Sequence, residues 1–345
     1  MRRRWILATL VLVALSGAVS ASFLIGSSGR SMTGAAQQFL ATLNDDQRES
    51  AVMSFDDAAR VDWHFIPKDT RKGVRVKDMS PQQRRAAKRL LRTCLSRSGF
   101  DKATAIMALE GVLHELEKEN PGRFARETDL YYFTLFGDPT RQGRWGLSIE
   151  GHHLSLNFVV EDGEVISSTP TVLCANPTIV SETLANVPRG TRVLAAEELS
   201  GFHLLESLDD EQRATAVFAE EAPREIRAAG EAQPPQDAAI GLPAGKMTRR
   251  QKVLLWTLLS SYLSTVNTDV MADRLVAIDD AGFDNIHFAW AGADKPGIGH
   301  YYRIQGPSFL VEFVNTQPDA AGNIASHIHS IWRDMDGDFA LPAAE

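Results

Sequence analysis

Cysteine is almost absent from this chain. Cys94 and Cys174 are the only two in 345 residues, too few for a disulfide framework and too far apart for a zinc ribbon. Cys94 falls on a predicted helix and Cys174 after a predicted strand, so two buried thiols are as good a reading as one bridge. Basic charge is also in deficit. Lys and Arg number 36 against 44 Asp and Glu, a formal net charge of −8, which argues against a general nucleic-acid binder. There is no G-x-S-x-G elbow, Gly-rich phosphate loop, H-E-x-x-H or C-x-x-C, and the mechanisms those motifs serve are set aside. The basic run from Lys68 to Arg92 lacks interleaved aromatics and reads as a solvated helix face.

What is present is an ordinary globular composition, 44% apolar and 23% charged, behind one clear leader. Arg2 to Arg4 form a positive n-region, Trp5 to Ala18 an apolar stretch, and Ala18-Val19-Ser20-Ala21 a small-residue end suited to signal peptidase. Residues 1–30 are therefore expected to be a signal peptide or, if uncleaved, an N-terminal membrane anchor, since weakly polar residues extend the stretch to Ile25. Either way the body is exported. Arg2-Arg3-Arg4-Trp5-Ile6 is also a loose twin-arginine pattern.

The body repeats itself. Ala41 to Val52 matches Glu206 to Val217, Gly73 to Gln83 aligns with Gly241 to Gln251, and Glu150 to Phe158 with Gln305 to Phe313. Three blocks in one order imply two diverged copies of a helices-then-antiparallel-strands module, 32–180 and 195–335, packed as one α+β body. Phe39, Leu40 and Leu43, and later Leu204, Leu205 and Leu208, follow the spacing of one helical face. Ser80-Pro81-Gln82-Gln83 and Thr248-Arg249-Arg250-Gln251 are capping boxes that open corresponding helices, Ser80 to Arg97 and Thr248 to Ser264. Further helices are expected over Asp101 to Glu119 and Thr268 to Ala281. Strands are expected over Leu130 to Phe136, Trp145 to Ile149, Leu154 to Val160 and Glu164 to Leu173. Their counterparts are Ile286 to Ala291, His300 to Ile304, Phe309 to Val314 and Ala325 to Trp332. Ala222 to Gly245 reads as a long loop inside the second copy.

Histidines carry the functional lead. His114 and His203 sit among charged residues on predicted helices and are assigned to the surface. His327-Ile328-His329 places two imidazoles on one face of a strand, where both reach one ion. Of His152-His153, alternation gives His152 the core face shared with Leu154, Leu156 and Phe158, and His153 the face of Ser155 and Asn157. Glu312 occupies the position matching Asn157. The expected metal ligands are His153, His327, His329 and Glu312. His152, Asn157, His300, Trp145, Arg333 and Asp334 are candidates for the pocket around them, with Asp334 orienting an imidazole.

These blocks resemble the DUF3500 proteins of bacteria and fungi. The resemblance rests on Tyr131 to Gly137, Trp145-Gly146, Glu150 to Phe158, Gly306-Pro307, Glu312-Phe313, Asn315-Thr316-Gln317 and His327 to Asp334. It spans nearly all of the mature chain and implies exported relatives but no activity. One departure is Ala340, which follows Phe339 where Gly is expected. Three functions are open. One is a metal-binding protein or metal-dependent enzyme, a hydrolase or oxidase, using Zn, Cu, Fe or Mn. The second is a non-catalytic binder of a small-molecule or peptide ligand, held in a cleft between the two modules. The third, a membrane-tethered structural role, follows if Trp5 to Ile25 stays uncleaved.

Overall fold

The structure is a computed structural model that describes residues 27–343. The expected leader falls almost wholly outside them. No helix among the described residues is long and apolar enough to cross a membrane. The chain is α+β, with eight α-helices among the described residues and a 13-stranded mixed sheet.

Two stretches of helix each precede a run of strands. The first holds α1 (Ser28–Leu40), α2 (Asp45–Ala51), α3 (Pro81–Cys94) and α4 (Arg97–Leu116). Its strands are β1 (Val52–Met53), β2 (Val74–Arg75), β3 (Tyr131–Phe136), β4 (Arg144–Gly151), β5 (Leu154–Glu161), β6 (Glu164–Ser167) and β7 (Thr171–Leu173). The second holds α5 (Ala195–Glu206), α6 (Asp210–Ala216), α7 (Arg249–Leu263) and α8 (Thr268–Ala281). Its strands are β8 (Val217–Ala219), β9 (Leu242–Pro243), β10 (His287–Gly292), β11 (His300–Gln305), β12 (Phe309–Asn315) and β13 (Ile328–Asp334). The strand expected over Glu164 to Leu173 is broken in two at Ser168-Thr169-Pro170, where proline has no N–H to give the ladder.

Strand order is β1-β3-β4-β5-β7-β13-β12-β11-β10-β8, and it reads alike from either edge. Each edge strand, β1 or β8, runs parallel to its neighbour, and a three-strand antiparallel meander follows. The halves join where β7 pairs β13, Val172 opposite Ile331 and Thr171 opposite Trp332. At that seam the sheet is continuous.

Both capping boxes form, and two more stand at Asn44–Gln47 and Asp209–Gln212. The four glutamines then pair across helices. Gln83 Nε2 donates to Thr42 O at 2.8 Å and to Gln47 Oε1 at 2.6 Å. Gln251 Nε2 makes the same two bonds to Ser207 O and Gln212 Oε1 at 2.8 and 2.6 Å. Buried amides whose donors are satisfied in this way fix the helix angle without a desolvation cost. The helical layers of the two halves meet at Ser96, whose N–H donates to Thr265 O at 3.1 Å. Gly99 is required there, because a Cβ would stand 2.0 Å from Thr265 O.

The two faces of the sheet differ. Against the helices lie Phe133, Leu147, Leu156, Phe158, Phe288, Tyr302 and Phe313, the main core. Trp145 and His300, read as pocket residues, belong to this side. Trp145 is fully buried and its Nε1 donates to Thr33 Oγ1 at 3.2 Å. His300 stacks on Trp290, with its Nδ1 2.8 Å from Ile298 O and Nε2 3.4 Å from Glu198 Oε1. Both expectations fail for one reason: each residue leads into a strand on the helix-facing register. The opposite face carries a second apolar cluster that includes Trp63, Phe65, Val172, Cys174, Ile226, Val314 and Ile331. Segments 54–72 and 220–241 cover it and touch each other, Trp63 Nε1 donating to Glu231 O at 2.8 Å. Cys94 and Cys174 are both buried free thiols.

Candidate metal centre

The centre assembles at the seam, on the loop-covered face. On β13, alternation sends His329, Ile331 and Arg333 toward the loops. His327 stands one residue before the strand, and its N–H donates to Asn315 Oδ1 at 2.9 Å. His153 arrives from the other half, in the tight turn between β4 and β5. There it adopts φ 64°, a left-handed conformation uncommon for a non-glycine residue. Two bonds hold that turn: His153 N–H donates to Phe65 O at 2.8 Å, and Cys174 N–H donates to His153 O at 2.9 Å. Backbone strain kept in place by surrounding bonds marks a position where the side chain's direction matters.

His327 Nε2 stands close to two other imidazoles. His153 Nε2 is 2.7 Å from His327 Nε2, which is 3.0 Å from His329 Nε2. Nitrogens around a tetrahedral ion at the usual zinc distance lie roughly 3.3 Å apart. The two gaps at His327 match that spacing after a few tenths of an ångström of opening. His152 lies beside them, its ring stacked on His153 with centroids 3.6 Å apart. One ring nitrogen each from His152, His153 and His327 lies within 4.8 Å of the other two, close enough to hold a metal ion. His327 is thus common to two possible triads. His329 brings its Nε2 close to that of His327, while the three rings whose nitrogens all lie within 4.8 Å of one another are those of His152, His153 and His327.

Two remote nitrogens have a carboxylate partner that fixes the tautomer, and a third faces an amide. His329 Nδ1 lies 2.8 Å from both Glu225 oxygens, and His152 Nδ1 lies 2.6 Å from Glu110 Oε1. An Nδ1–H given to a carboxylate leaves Nε2 as a lone pair. His327 Nδ1 faces the Asn176 amide at 3.3 Å, while Asn176 Oδ1 is buried without a partner. Turning that amide over lets Oδ1 accept from Nδ1–H, which satisfies the orphan oxygen and frees a third Nε2 lone pair. The Nε2 atoms of His327 and His329 then face each other at 3.0 Å as two lone pairs with no proton between them. A cation at that point would satisfy both.

Electrostatics favour neutral rings. Burial lowers the pKa of His153 well below its ordinary value, and positive charge on its neighbours His152, His327 and His329 would lower it further. Burial lowers His327 to about 2. His152 is lowered by burial against the pull of Glu110. Neutral imidazole is the form that binds metal.

Several expected members lie elsewhere. His152, read on the core face and also as a pocket candidate, stands beside the cluster, because it and His153 occupy a turn where strand alternation does not apply. Glu312 is not in the cluster. It opposes Ile331 rather than His329 on β13, and its carboxylate accepts from the Tyr301 hydroxyl and from Arg227 Nε at 2.9 Å. Asn157 is buried beneath the loops, bonded to Ser148, Ser155 and Pro170 O. Arg333 pairs with Asp338 at 2.6 Å, both fully buried, and donates to Ala228 O and Glu231 O. Asp334 touches no imidazole; burial raises its pKa to about 6. His114 and His203 are exposed. Glu225 and Glu110 were missed. Neither has a local signal, since one lies in the long loop and the other on a helix, each far in sequence from its histidine.

A family model described as a protein of unknown function, DUF3500, matches residues 26–341. No curated protein matches the chain, and no solved structure matches it.

Proposed function

Because the chain belongs to the DUF3500 family, which carries no described activity, we propose a function from the site alone: an exported metalloprotein holding one divalent transition-metal ion. His153, His327 and His329 are its ligands. Glu225 and Asn176 orient two of the rings, and His152, held by Glu110, stands at the rim. The observation that carries this reading is the approach of His327 Nε2 to the Nε2 atoms of His153 and His329, at 2.7 and 3.0 Å, with His329 Nδ1 held by Glu225. An all-imidazole set suits Zn, Cu(II) or Fe and accepts Mn less readily.

Three protein ligands leave a coordination position for water or substrate, the pattern of catalytic rather than structural sites. Such an ion supports hydrolysis through an activated water, or oxidation if the metal is redox-active. Charge supports the first of these, since no carboxylate ligand dilutes the Lewis acidity of the ion. The leader read at Arg2 to Ala21 supports delivery outside the cytoplasm.

The test is elemental mass spectrometry on the untagged mature protein purified from its native export route. About one transition-metal ion per chain, lost in the His327→Ala/His329→Ala double variant, is the expected result. A folded, metal-free protein that gains no thermal stability from added Zn, Cu, Fe or Mn overturns the proposal.

A further inference from the structure

The basic run that reads as a helix face divides in two. Its first part, Lys68 to Lys77, precedes α3 and lines a cavity of about 160 Å³ whose wall includes Tyr132, His152 and the carboxylates of Asp69, Glu110 and Glu127, which pair with Arg123, His152 and Lys77. A second hollow, about 330 Å³, adjoins it and shares Arg71, Arg75 and Tyr132. The outer cations are neutralised locally: Arg75 pairs with Asp78 at 2.8 Å and Lys77 with Glu127 at 2.5 Å. Arg71 and Lys68 are not. Arg71 donates to the carbonyl oxygens of His64 and Ile66, which hold its position without cancelling its charge. Lys68 makes no ion pair among the described residues. A guanidinium fixed through part of its fork keeps further N–H groups to offer an anion.

Framework needs do not explain these cations. Before Gly73 the chain has Arg71 and Lys72, whereas before the matching Gly241 it has Ala239 and Ile240. Helices and strands around both glycines are alike, so the fold is built without the charge. The cavity also shares a wall with the metal centre, because His152 lines the one and stacks on a ligand of the other.

We propose that this cavity binds an anionic group of the substrate, a carboxylate or a phosphate, through Arg71 and Lys68. The adjoining part of the molecule is then presented to His152 and the metal-binding imidazoles. The substrate class rests on the metal reading above; the anion site itself does not.

Calorimetric titration of the full mature protein at low ionic strength tests it, with inorganic phosphate and acetate as probes. One equivalent of either probe should bind, and the tighter of the two identifies the group. Arg71→Ala and Lys68→Glu should each weaken binding about tenfold or more, with Arg71→Lys retaining part of it. Lys68 is exposed, so its replacement leaves the fold intact even if Arg71→Ala loosens the strap. Binding should persist in chelator-treated protein and in the His327→Ala/His329→Ala variant. That result in a protein found to hold no metal would keep the anion site and discard the metal reading. Equal binding by wild type and both pocket variants, or no binding of either probe, overturns the proposal. So does binding that vanishes with the metal but survives Lys68→Glu, because the anion is then a ligand of the ion.

Discussion

The turn between β4 and β5 and the turn between β11 and β12 occupy the same step of their halves and do opposite work. The first, Gly151-His152-His153-Leu154, presents two imidazoles. The second, Gly306-Pro307-Ser308-Phe309, presents none, and beside it Arg333 and Asp338 form an ion pair that no solvent reaches. The helical faces of the two halves keep the same glutamine contacts to within a tenth of an ångström. The two halves differ most on the loop-covered face, where one end carries the candidate metal centre and the other holds the covering loops down. A scaffold whose packing is settled on one side of a sheet is free to specialise on the other.

The structural end should be the more costly to break. Arg333→Ala leaves Asp338 charged, buried and alone, a loss of about 3–5 kcal/mol that urea denaturation would measure. An Arg333→Met/Asp338→Leu double variant should recover most of it. If Arg333→Ala costs under about 1 kcal/mol, the contrast between the ends is gone.

The chemical end should respond to metal instead. At an ion concentration a hundredfold above its dissociation constant, wild type should gain about 2.7 kcal/mol of stability, and His327→Ala should gain nothing. Glu225→Gln should retain binding but weaken it about 10–100-fold, read by competition with a chromophoric chelator. An unchanged affinity would show that Glu225 does not orient His329.

Acid sharpens the same contrast. Burial keeps His153 and His327 unprotonated in the folded chain, while the unfolded chain takes up protons near its ordinary value of 6.5. Unfolding therefore absorbs protons below that point. The metal-free protein should lose stability as pH falls from 6.5 toward 2, and His327→Ala should flatten the profile in thermal melts. The smallest effect concerns Ala340. Its φ of 52° lies in the region that favours glycine, where the family pattern led us to expect glycine. Ala340→Gly should gain a few tenths to about 1 kcal/mol, the relief of left-handed strain less the added entropy of glycine in the unfolded chain.

The sequence made some of this legible and hid the rest for identifiable reasons. Capping boxes and strand alternation are local, so Ser80–Gln83, Thr248–Gln251 and the core row Leu154, Leu156 and Phe158 could be read directly. His327 and His329 could be read as sharing a face for the same reason. Glu312 could not be excluded, because its capture by Tyr301 and Arg227 depends on a loop that folds over it. His152 was misread because two residues of turn interrupt a pattern that alternation treats as continuous. Glu225 and Glu110 lie 104 and 42 residues from the histidines they hold, and no spacing rule reaches that far.

β13 is the last strand described, yet it fills the middle of the sheet between β7 and β12. Its His327 meets His153 across 174 residues of chain. Contacts of such separation are slow to form, since the intervening chain must be ordered before they repay it. Metal ligation there would be a late event in folding: until residues 327–329 are in place, only one of the three proposed ligands is present. Loading with the ion would report a completed sheet, and would seal it with a crosslink between the halves that opens when the metal is withdrawn.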